Sequence, residues 1–219
     1  DTAYSACRQF LNNFKNIYSV NYDLLLYWAG MRQELKPKLA FDDGFRTPES
    51  GTEEYVTWEV ENTNQQTVYY LHGALHIFDA GDEIQKYTWA NTGIRLIDQI
   101  RNALAKGLFP LIVAEGESTQ KLDHINHSNY LSRNYRSFAN ITGALFIFGH
   151  SMGDNDDHIL RLIQKNRKLK TLAVGVFGDP DTNANKKLIT RAQAIAVARP
   201  QKNPLEMVLF DSASTKVWG

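Results

Sequence analysis

Short, uniformly apolar runs separated by amphipathic segments are the feature that most constrains the fold of this chain. The clearest runs are residues 144–148, 171–177 and 205–210, with helical patterns at 157–169 and 183–198 between them. Strands without a polar face belong to parallel sheets that helices cover on both sides. The pattern therefore predicts an α/β fold, a doubly wound, Rossmann-like parallel sheet whose ligands bind at the carboxyl ends of the strands.

The first half of the chain adds strands and helices to this sheet, together with a small β-hairpin. Helices are predicted at 3–14, 22–36, 93–106 and 119–139, and strands at 16–20, 68–71 and 111–114. Runs at 76–78 and 84–89 flank turn residues 79–82, which predicts a hairpin insertion. Residues 37–66 contain several breakers and are predicted to be irregular. We expect a single domain over residues 1–219.

Charge and cysteine content narrow the possible functions. Lys plus Arg and Asp plus Glu both number 24, so the charge does not favour nucleic acid or an anionic membrane as partner. The single cysteine, Cys7, excludes an intrachain disulfide and a cysteine-rich zinc site. No apolar run approaches the roughly 20 residues of a membrane span, and no signal-peptide pattern is present. We expect a cytoplasmic protein.

Three polar clusters follow predicted strands, where a parallel sheet carries its ligand-binding residues. They are Asn21-Tyr22-Asp23, His72-Gly73 and Gly149-His150-Ser151-Met152-Gly153-Asp154. Each also has a purely structural explanation. Asn21 or Asp23 can cap the next helix, His72 can be a buried turn histidine, and the glycines of the third cluster can serve a tight turn. The residues alone leave both explanations open.

The third cluster also matches the Gly-x-Ser-x-Gly nucleophile elbow of serine hydrolases, with Ser151 as nucleophile. In that fold the catalytic histidine follows the serine along the chain. The one histidine after Ser151 is His158, which lies at the start of the very next helix, too close to serve. Without an imidazole in reach a serine hydroxyl is a weak nucleophile. A serine hydrolase therefore stays an alternative rather than the preferred interpretation.

In their order along the chain, the three clusters resemble the sirtuin-like family. The resemblance rests on Asn-Tyr-Asp at 21–23, Leu-His-Gly at 71–73 and Gly-x-Ser-x-x-Asp at 149–154, and it covers about residues 16–210. Each motif is short, so order, spacing and strand-end position carry the resemblance. Members of this family bind NAD and cleave its nicotinamide–ribose bond. Many bacterial members consume NAD in anti-phage defence.

The resemblance implies a role for each motif. Asn21 would orient the attacking water or ribose, and His72 would be the general base, which suits an imidazole at neutral pH. The residues that the resemblance places in dinucleotide binding are Asp23, Gly73, Gly149, Ser151 and Asp154. NAD is then a substrate. No metal is expected, because the leaving group is already a cationic pyridinium.

The chain departs from the family in two ways. Protein-deacetylating sirtuins carry a four-cysteine zinc module, which a chain with one cysteine cannot form, so NAD hydrolysis is favoured over deacetylation. The family's first strand and Gly-rich phosphate loop are also not visible from Asp1 onward, and we expect them to precede Asp1. A catalytically inactive nucleotide-binding module is a further alternative. The expected partner is a small nucleotide, with neither nucleic acid nor membrane, and a homo-oligomer is compatible with the sequence.

Two further groups of residues are weaker candidates. Glu115 and Ser118 follow the run at 111–114 and could line the same crevice, although a capped loop is the favoured interpretation. His124 and His127 are three residues apart on a predicted helix. No third ligand accompanies them at a recognisable spacing, so we interpret them as surface residues.

Overall fold

The fold is given by a computed structural model that describes residues 1–49, 51, 53–89, 93–114 and 116–219, without the side chains of 62–64. Glu115 lies outside the described residues. The helices are α1 (Thr2–Leu11), α2 (Leu25–Met31), α3 (Leu96–Ala105), α4 (Ser118–His127), α5 (Asn129–Ala139), α6 (Asp157–Lys165) and α7 (Asn183–Val197). The strands are β1 (Ile17–Ser19), β2 (Phe45–Arg46), β3 (Tyr55–Trp58), β4 (Val68–Tyr70), β5 (Gly73–Asp79), β6 (Ile84–Tyr87), β7 (Pro110–Ile112), β8 (Gly143–Ile147), β9 (Leu169–Val176) and β10 (Glu206–Asp211).

The strands form three sheets. Strands β10, β9 and β8 pair in parallel in that order, and β1 pairs in parallel with β4. Strands β2, β3, β6, β5 and β7 form an antiparallel sheet in that order. The chain is therefore mixed α/β, with parallel and antiparallel sheets.

One face of the three-stranded sheet packs against α6 and α7. Leu172 and Val174 of β9 point into this core together with Ile159 and Ile163 of α6. Ile159 and Ile163 are four residues apart and so share one face of the helix. Burying a side chain of this size stabilises the fold by about 2 kcal/mol. Because α6 follows the turn after β8, this packing also fixes that turn.

Two expectations for the first half of the chain are wrong. Residues 37–66 are not irregular throughout, since they contain β2 and β3, and β3 pairs with β6. The run at 111–114 overlaps β7, which pairs antiparallel with β5 and does not join the parallel strands. A short apolar run does not reveal its partner strand. Pro110 fits this position because β7 is an edge strand, where a missing N–H is tolerated.

The predicted hairpin is present, and the antiparallel sheet extends it. Strands β5 and β6 pair directly, and Ala80 N donates to the Glu83 carbonyl at 3.0 Å in the turn between them. The hairpin lies at the centre of the five-stranded sheet, so it is larger than the small insertion that the sequence predicts.

Segment 119–139 forms two helices. They meet at Ser128, whose Oγ accepts a hydrogen bond from Leu131 N at 3.4 Å and caps α5. In the parts of the chain that the structure describes, no helix combines the length and the apolar character needed to cross a membrane.

Candidate functional site

Asn21 and His72 follow two adjacent parallel strands. β1 and β4 pair in register, with Ser19 opposite Tyr70. Each candidate residue lies two positions beyond that pair. The register therefore brings the Asn-Tyr-Asp and Leu-His-Gly segments together at the carboxyl ends of the two strands, as a parallel sheet requires of a shared site.

The His72 side chain is buried and faces a histidine from a distant part of the chain. Its Nε2 lies 3.1 Å from Nε2 of His158, in the first turn of α6. The rings stack with centroids 5.3 Å apart and an angle of 25° between their planes. Burial lowers the pKa of both histidines to about 4, and nearby Asp156 opposes this only in part. Both rings are neutral at pH 7, so one Nε2 donates a hydrogen bond to the other.

Ser118, the first residue of α4, contacts His158 at the ring nitrogen that does not face His72. Its Oγ accepts a hydrogen bond from the backbone N of His158 at 2.7 Å and lies 3.2 Å from Nδ1 of the same residue. When Nδ1 of His158 donates to this oxygen, Nε2 of His158 accepts from His72. The Nδ1 lone pair of His72 is then free, which is the form that a general base requires.

An ion pair lies beside the two histidines. Asp156 accepts hydrogen bonds from Lys121 Nζ at 2.9 Å and from His150 Nε2 at 3.1 Å. Burial favours the protonated form of Asp156, but the hydrogen bonds from His150 and Lys121 outweigh burial and lower its pKa. Asp156 is therefore ionised at neutral pH. It compensates the charge of Lys121, which is buried.

These side chains form one buried polar group, which we call the histidine cluster. Its members are His72, Ser118, Lys121, His150, Asp156 and His158. One ligand atom each of His72, Asp156 and His158 lies within 4.8 Å of the others, a spacing that suits a divalent metal. Asp156 and His158 lie two residues apart at the start of α6, whereas His72 follows β4, so the sequence does not reveal that the three meet. The Lys121 ammonium on Asp156 opposes the binding of a cation there.

The turn after β8 carries the third motif and contacts the histidine cluster through His150. Gly149 has a φ of 66° and Met152 a φ of 53°. His150 Nδ1 accepts a hydrogen bond from Met152 N at 2.9 Å, so its Nε2 carries the proton that bonds to Asp156. His150 thereby ties the turn to Asp156.

Ser151 does not have the geometry of a nucleophile elbow. That motif puts the serine on a strained turn leading directly into a helix. Here a short 3-10 helix, Asp154–Asp156, lies between Ser151 and α6, and Ser151 is not among the described residues with positive φ. Both ring nitrogens of His150 and of His158 bond to groups other than Ser151.

Two cavities adjoin at this turn. The larger cleft, of about 1100 Å³, is lined by Asn21, Asp23 and Gly149 among other residues. The smaller cavity, of about 290 Å³, is lined by Gly149 and Ser151. His150 lines both. The structure thus brings Asn21, Asp23 and Gly149 to one cleft and Ser151 to the adjoining cavity.

His72 itself lies in the buried cluster behind these cavities. Only about 3% of its surface is exposed. The cluster meets both cavities at His150, which bonds to Asp156. A ligand in the large cleft would therefore contact the strand-end residues and the edge of the histidine cluster together.

Comparison with known proteins places the chain in a family. A family model described as a domain of unknown function, DUF4917, matches residues 1–218. The chain belongs to the DUF4917 family. No curated protein matches it. The strand-end motifs, the histidine cluster and both cavities all lie within the matched DUF4917 residues.

Two acidic candidates of the DUF4917 domain have partners within the chain. Asp23 Oδ1 accepts a hydrogen bond from Leu25 N at 2.8 Å, so this carboxylate stabilises the start of α2. Asp154 is exposed and forms an ion pair with Arg191 of α7. Asp23 does not occupy the N-cap position of α2, which is Leu24, so the capping predicted from sequence is present only as this neighbouring bond. Asp154 would have to share its carboxylate between Arg191 and a ligand.

Gly73 has a steric role in the fold. Its φ is 72°, and a Cβ there would lie 1.7 Å from the Leu111 carbonyl oxygen on β7. Any larger residue would separate β5 from β7, so packing alone accounts for this glycine. His124 and His127 are both exposed, as expected of surface residues.

Proposed function

We propose that this DUF4917 domain hydrolyses NAD at the nicotinamide–ribose bond. The observation that carries the proposal is the pair Asn21 and His72 at the carboxyl ends of adjacent parallel strands, with His72 bonded to His158 and neutral. The resemblance to sirtuin-like proteins supplies the substrate. The geometry supplies an amide that lines the large cleft and a base in the buried cluster behind it. A role in anti-phage defence in the cytoplasm belongs to the same proposal.

The chemistry requires one base. Water adds to C1′ of the ribose while the C1′–N bond breaks, and the electron pair of that bond neutralises the pyridinium. Nicotinamide leaves without taking a proton, so an acid on the leaving-group side is not needed. The step requires the water to reach His72 behind the cleft, where the water gives its proton to Nδ1, and ADP-ribose is the second product. A neutral imidazole with a free lone pair can accept that proton.

Asn21 suits the orientation of the water. It is exposed and lines the large cleft. In the described part of the chain, the hydrogen bonds of Asn21 involve its backbone, whose N donates to Ser19 Oγ at 3.1 Å. Its side-chain amide can therefore bond to water or to a ribose hydroxyl without loss of a structural contact.

The proposal includes a doubly wound arrangement in which the parallel strands form one sheet. Its support is the cover on both faces of β8. Leu145 and Ile147 pack towards α6, whereas Phe146 and Phe148 contact Phe14 and Phe10 from the segment of α1.

A metal-dependent hydrolase is a second candidate, favoured by the spacing of His72, Asp156 and His158. These residues would hold the ion, and Asp156 would have to exchange Lys121 for it. Treatment with EDTA, followed by readdition of Zn²⁺ or Mn²⁺, separates the two candidates. The NAD hydrolysis proposed above is unchanged by both steps, whereas a metal-dependent activity is lost and restored.

The direct test follows nicotinamide release from NAD by the intact protein. His72→Ala should lower the rate by a factor of about 10²–10⁴, as expected for loss of a general base. The matched control is His124→Ala, which removes an exposed histidine of α4 and should leave the rate unchanged. NAD affinity is measured by calorimetry on the same samples.

Two outcomes contradict the proposal. Equal release by wild type and His72→Ala removes His72 from the chemistry. Binding of NAD without release assigns the domain to the inactive nucleotide-binding class.

A further inference from the structure

A series of hydrogen bonds leads from the buried His72 ring towards the surface of the protein. His72 Nε2 lies 3.1 Å from His158 Nε2, and His158 Nδ1 lies 3.2 Å from Ser118 Oγ. Both histidines are buried, whereas Ser118 is half-buried and its neighbours Glu117 and Thr119 are exposed. The series therefore begins in the interior and ends next to solvent, at the first residue of α4.

Each link of this series places a donor opposite an acceptor. When His72 is in the form that can act as a base, its Nε2 donates to His158 Nε2, and His158 Nδ1 donates to Ser118 Oγ. Ser118 Oγ also accepts a hydrogen bond from the backbone N of His158 at 2.7 Å. Both lone pairs of this oxygen are then used, so its own proton is left to bond to water. All the donors point in the same direction, from His72 outwards.

An imidazole can pass a proton onwards, because it can accept one on one ring nitrogen and release one from the other. If His72 gains a proton at Nδ1, it can give its Nε2 proton to His158 Nε2. His158 then gives its Nδ1 proton to Ser118 Oγ, and Ser118 gives its hydroxyl proton to a solvent water. Each of the three side chains gains one proton and loses one, so neither ring retains a positive charge.

The surroundings of the two rings disfavour a retained charge. Burial lowers the pKa of His72 and of His158 to about 4, Asp156 opposes this in part, and the Lys121 ammonium adds to the lowering. At neutral pH a protonated ring would therefore lose its proton readily. A route that moves the proton onwards avoids the cost of a charged ring in the interior.

The other members of the histidine cluster do not offer this route. Asp156 stays ionised, since burial raises its pKa less than the hydrogen bonds from His150 and Lys121 lower it. The Lys121 ammonium has no lone pair, and both ring nitrogens of His150 bond to other groups. Within the described cluster, His158 and Ser118 are therefore the side chains that can carry a proton away from His72.

We propose that His158 and Ser118 form a proton relay, which carries the proton that His72 takes from water to solvent at the start of α4. The relay rests on the proposed NAD hydrolysis for the source of that proton. An O–H bond of the attacking water breaks at one end, and an O–H bond to a solvent water forms at the other. After the products leave, His72 Nδ1 gives its proton to water that enters from the cleft, and solvent returns one through Ser118. One proton is thus released per turnover, and the starting form is restored.

The experiment measures the relay in the intact protein without any nucleotide. NMR of the imidazole nitrogens should show His72 protonated at Nε2 and His158 protonated at Nδ1. These two protons should exchange with water at least about tenfold faster in the wild-type protein than in Ser118→Ala, because exchange without the relay requires opening of the fold. Ser118→Thr retains a hydroxyl and should exchange fast. Thr119→Ala, at the exposed neighbouring position, is the matched control and should equal the wild type.

A second variant separates the relay from the structural bond between Ser118 Oγ and the backbone N of His158. In His158→Gln, the side-chain oxygen can still accept a hydrogen bond from His72 Nε2, but an amide does not pass the proton on. The His72 proton should therefore exchange slowly in this variant as well. Exchange of the backbone amides of β4 and α6 in the same samples reports any opening of the fold and should be unchanged.

The effect on turnover distinguishes a relay from a purely structural role. His158→Gln should lower kcat at least about tenfold and leave the KM for NAD nearly unchanged. It should also lower the solvent deuterium isotope effect on kcat, because fewer protons then move together. A loss of packing alone would not change this isotope effect.

Three outcomes overturn the relay. They are a His72 proton on Nδ1, imidazole exchange in the wild type that is as slow as backbone exchange in β4, and equal imidazole exchange in wild type and Ser118→Ala. Because these measurements use no nucleotide, they are independent of catalysis. Fast imidazole exchange that depends on Ser118, in a protein that does not release nicotinamide, would support the relay and contradict only the proposed function.

Discussion

The Nε2 atoms of His72 and His158 lie 3.1 Å apart, so two neutral imidazoles share one proton between residues far apart in the sequence. Ser118 Oγ lies 3.2 Å from Nδ1, the other ring nitrogen of His158. The contacts from Ser118 through His158 to His72 orient the His72 ring, and when His158 donates to Ser118, the Nδ1 lone pair of His72 is free. His158 is therefore a positioning residue for His72, although it follows the serine motif closely in sequence.

The pH dependence of activity should report this pairing. The pKa of His72 is lowered to about 4, chiefly by burial. A base acts in its neutral form, so NAD hydrolysis should stay nearly constant from pH 7 to pH 5 and fall only near pH 4. Rates of nicotinamide release measured against pH check this. An acid limb centred near 6.5, the ordinary value for histidine, would place the base in solvent and contradict the buried pair.

Stability should fall with pH in a window set by the same groups. His72 and His158 have pKa values lowered from 6.5 to about 4, and the pKa of the fully buried His76 is lowered as well. Between pH 6.5 and 4 the unfolded chain binds protons that the folded chain does not. The free energy of unfolding should therefore be highest above pH 6.5 and fall by up to about 1.4 kcal/mol per pH unit for each histidine.

Urea unfolding at several pH values measures this slope. The double variant His72→Gln, His158→Gln removes two of the titrating groups and should flatten the curve. The single variant His124→Gln, at an exposed position, should leave the slope unchanged. A wild-type curve that is flat from pH 6.5 to 4 would show that these histidines are not buried as neutral groups.

Asn21→Ala should lower the rate of NAD hydrolysis without lowering the stability of the fold. Asn21 is exposed and lines the large cleft, so its loss should lower NAD hydrolysis at least about 100-fold without changing the unfolding temperature. Asn102→Ala, at an exposed position of α3, is the matched control and should change neither quantity. Unchanged hydrolysis in Asn21→Ala would remove the amide from the proposed mechanism.

The strand ends could be predicted from the sequence, whereas the histidine cluster could not. Apolar runs at 68–71 and 144–148 identified β4 and β8 and hence the positions of His72 and Gly149. The sequence gives no catalytic role to His158, because it is close to Ser151 along the chain. In the structure its ring instead meets His72, a contact that depends on how α6 packs and that no local pattern encodes.

Local sequence patterns also do not show which strands pair, and this explains the wrong prediction for the sheets. The run at 111–114 has the composition of a parallel core strand, yet β7 pairs antiparallel with β5. Apolar runs form both parallel and antiparallel strands in this fold, so apolar composition does not distinguish the two kinds. The pairing brings Gly73 close to the Leu111 carbonyl, a tertiary contact that the composition of the run at 111–114 does not encode.

Asp156→Asn should destabilise the fold by about 3–5 kcal/mol. The substitution leaves the buried Lys121 ammonium without its counter-charge, and an uncompensated buried charge costs about that much. Asp181→Asn is the matched control, because Asp181 pairs with Lys186 in solvent and should contribute less than about 1 kcal/mol. Chemical denaturation of both variants measures the difference. Similar small effects would show that water reaches Lys121.

Substitution of Ser151 distinguishes the two interpretations of the Gly149–Gly153 turn, a ligand-binding turn and a nucleophile elbow. As a binding residue in the cavity of about 290 Å³, its hydroxyl would contribute one hydrogen bond, so Ser151→Ala should raise the KM for NAD about fivefold and leave kcat nearly unchanged. A fluorophosphonate should not label Ser151 in the wild-type protein, because the nitrogens of His150 and His158 bond elsewhere. Covalent labelling, or a large loss of kcat with unchanged KM, would instead make Ser151 a nucleophile and contradict the assignment of catalysis to Asn21 and His72.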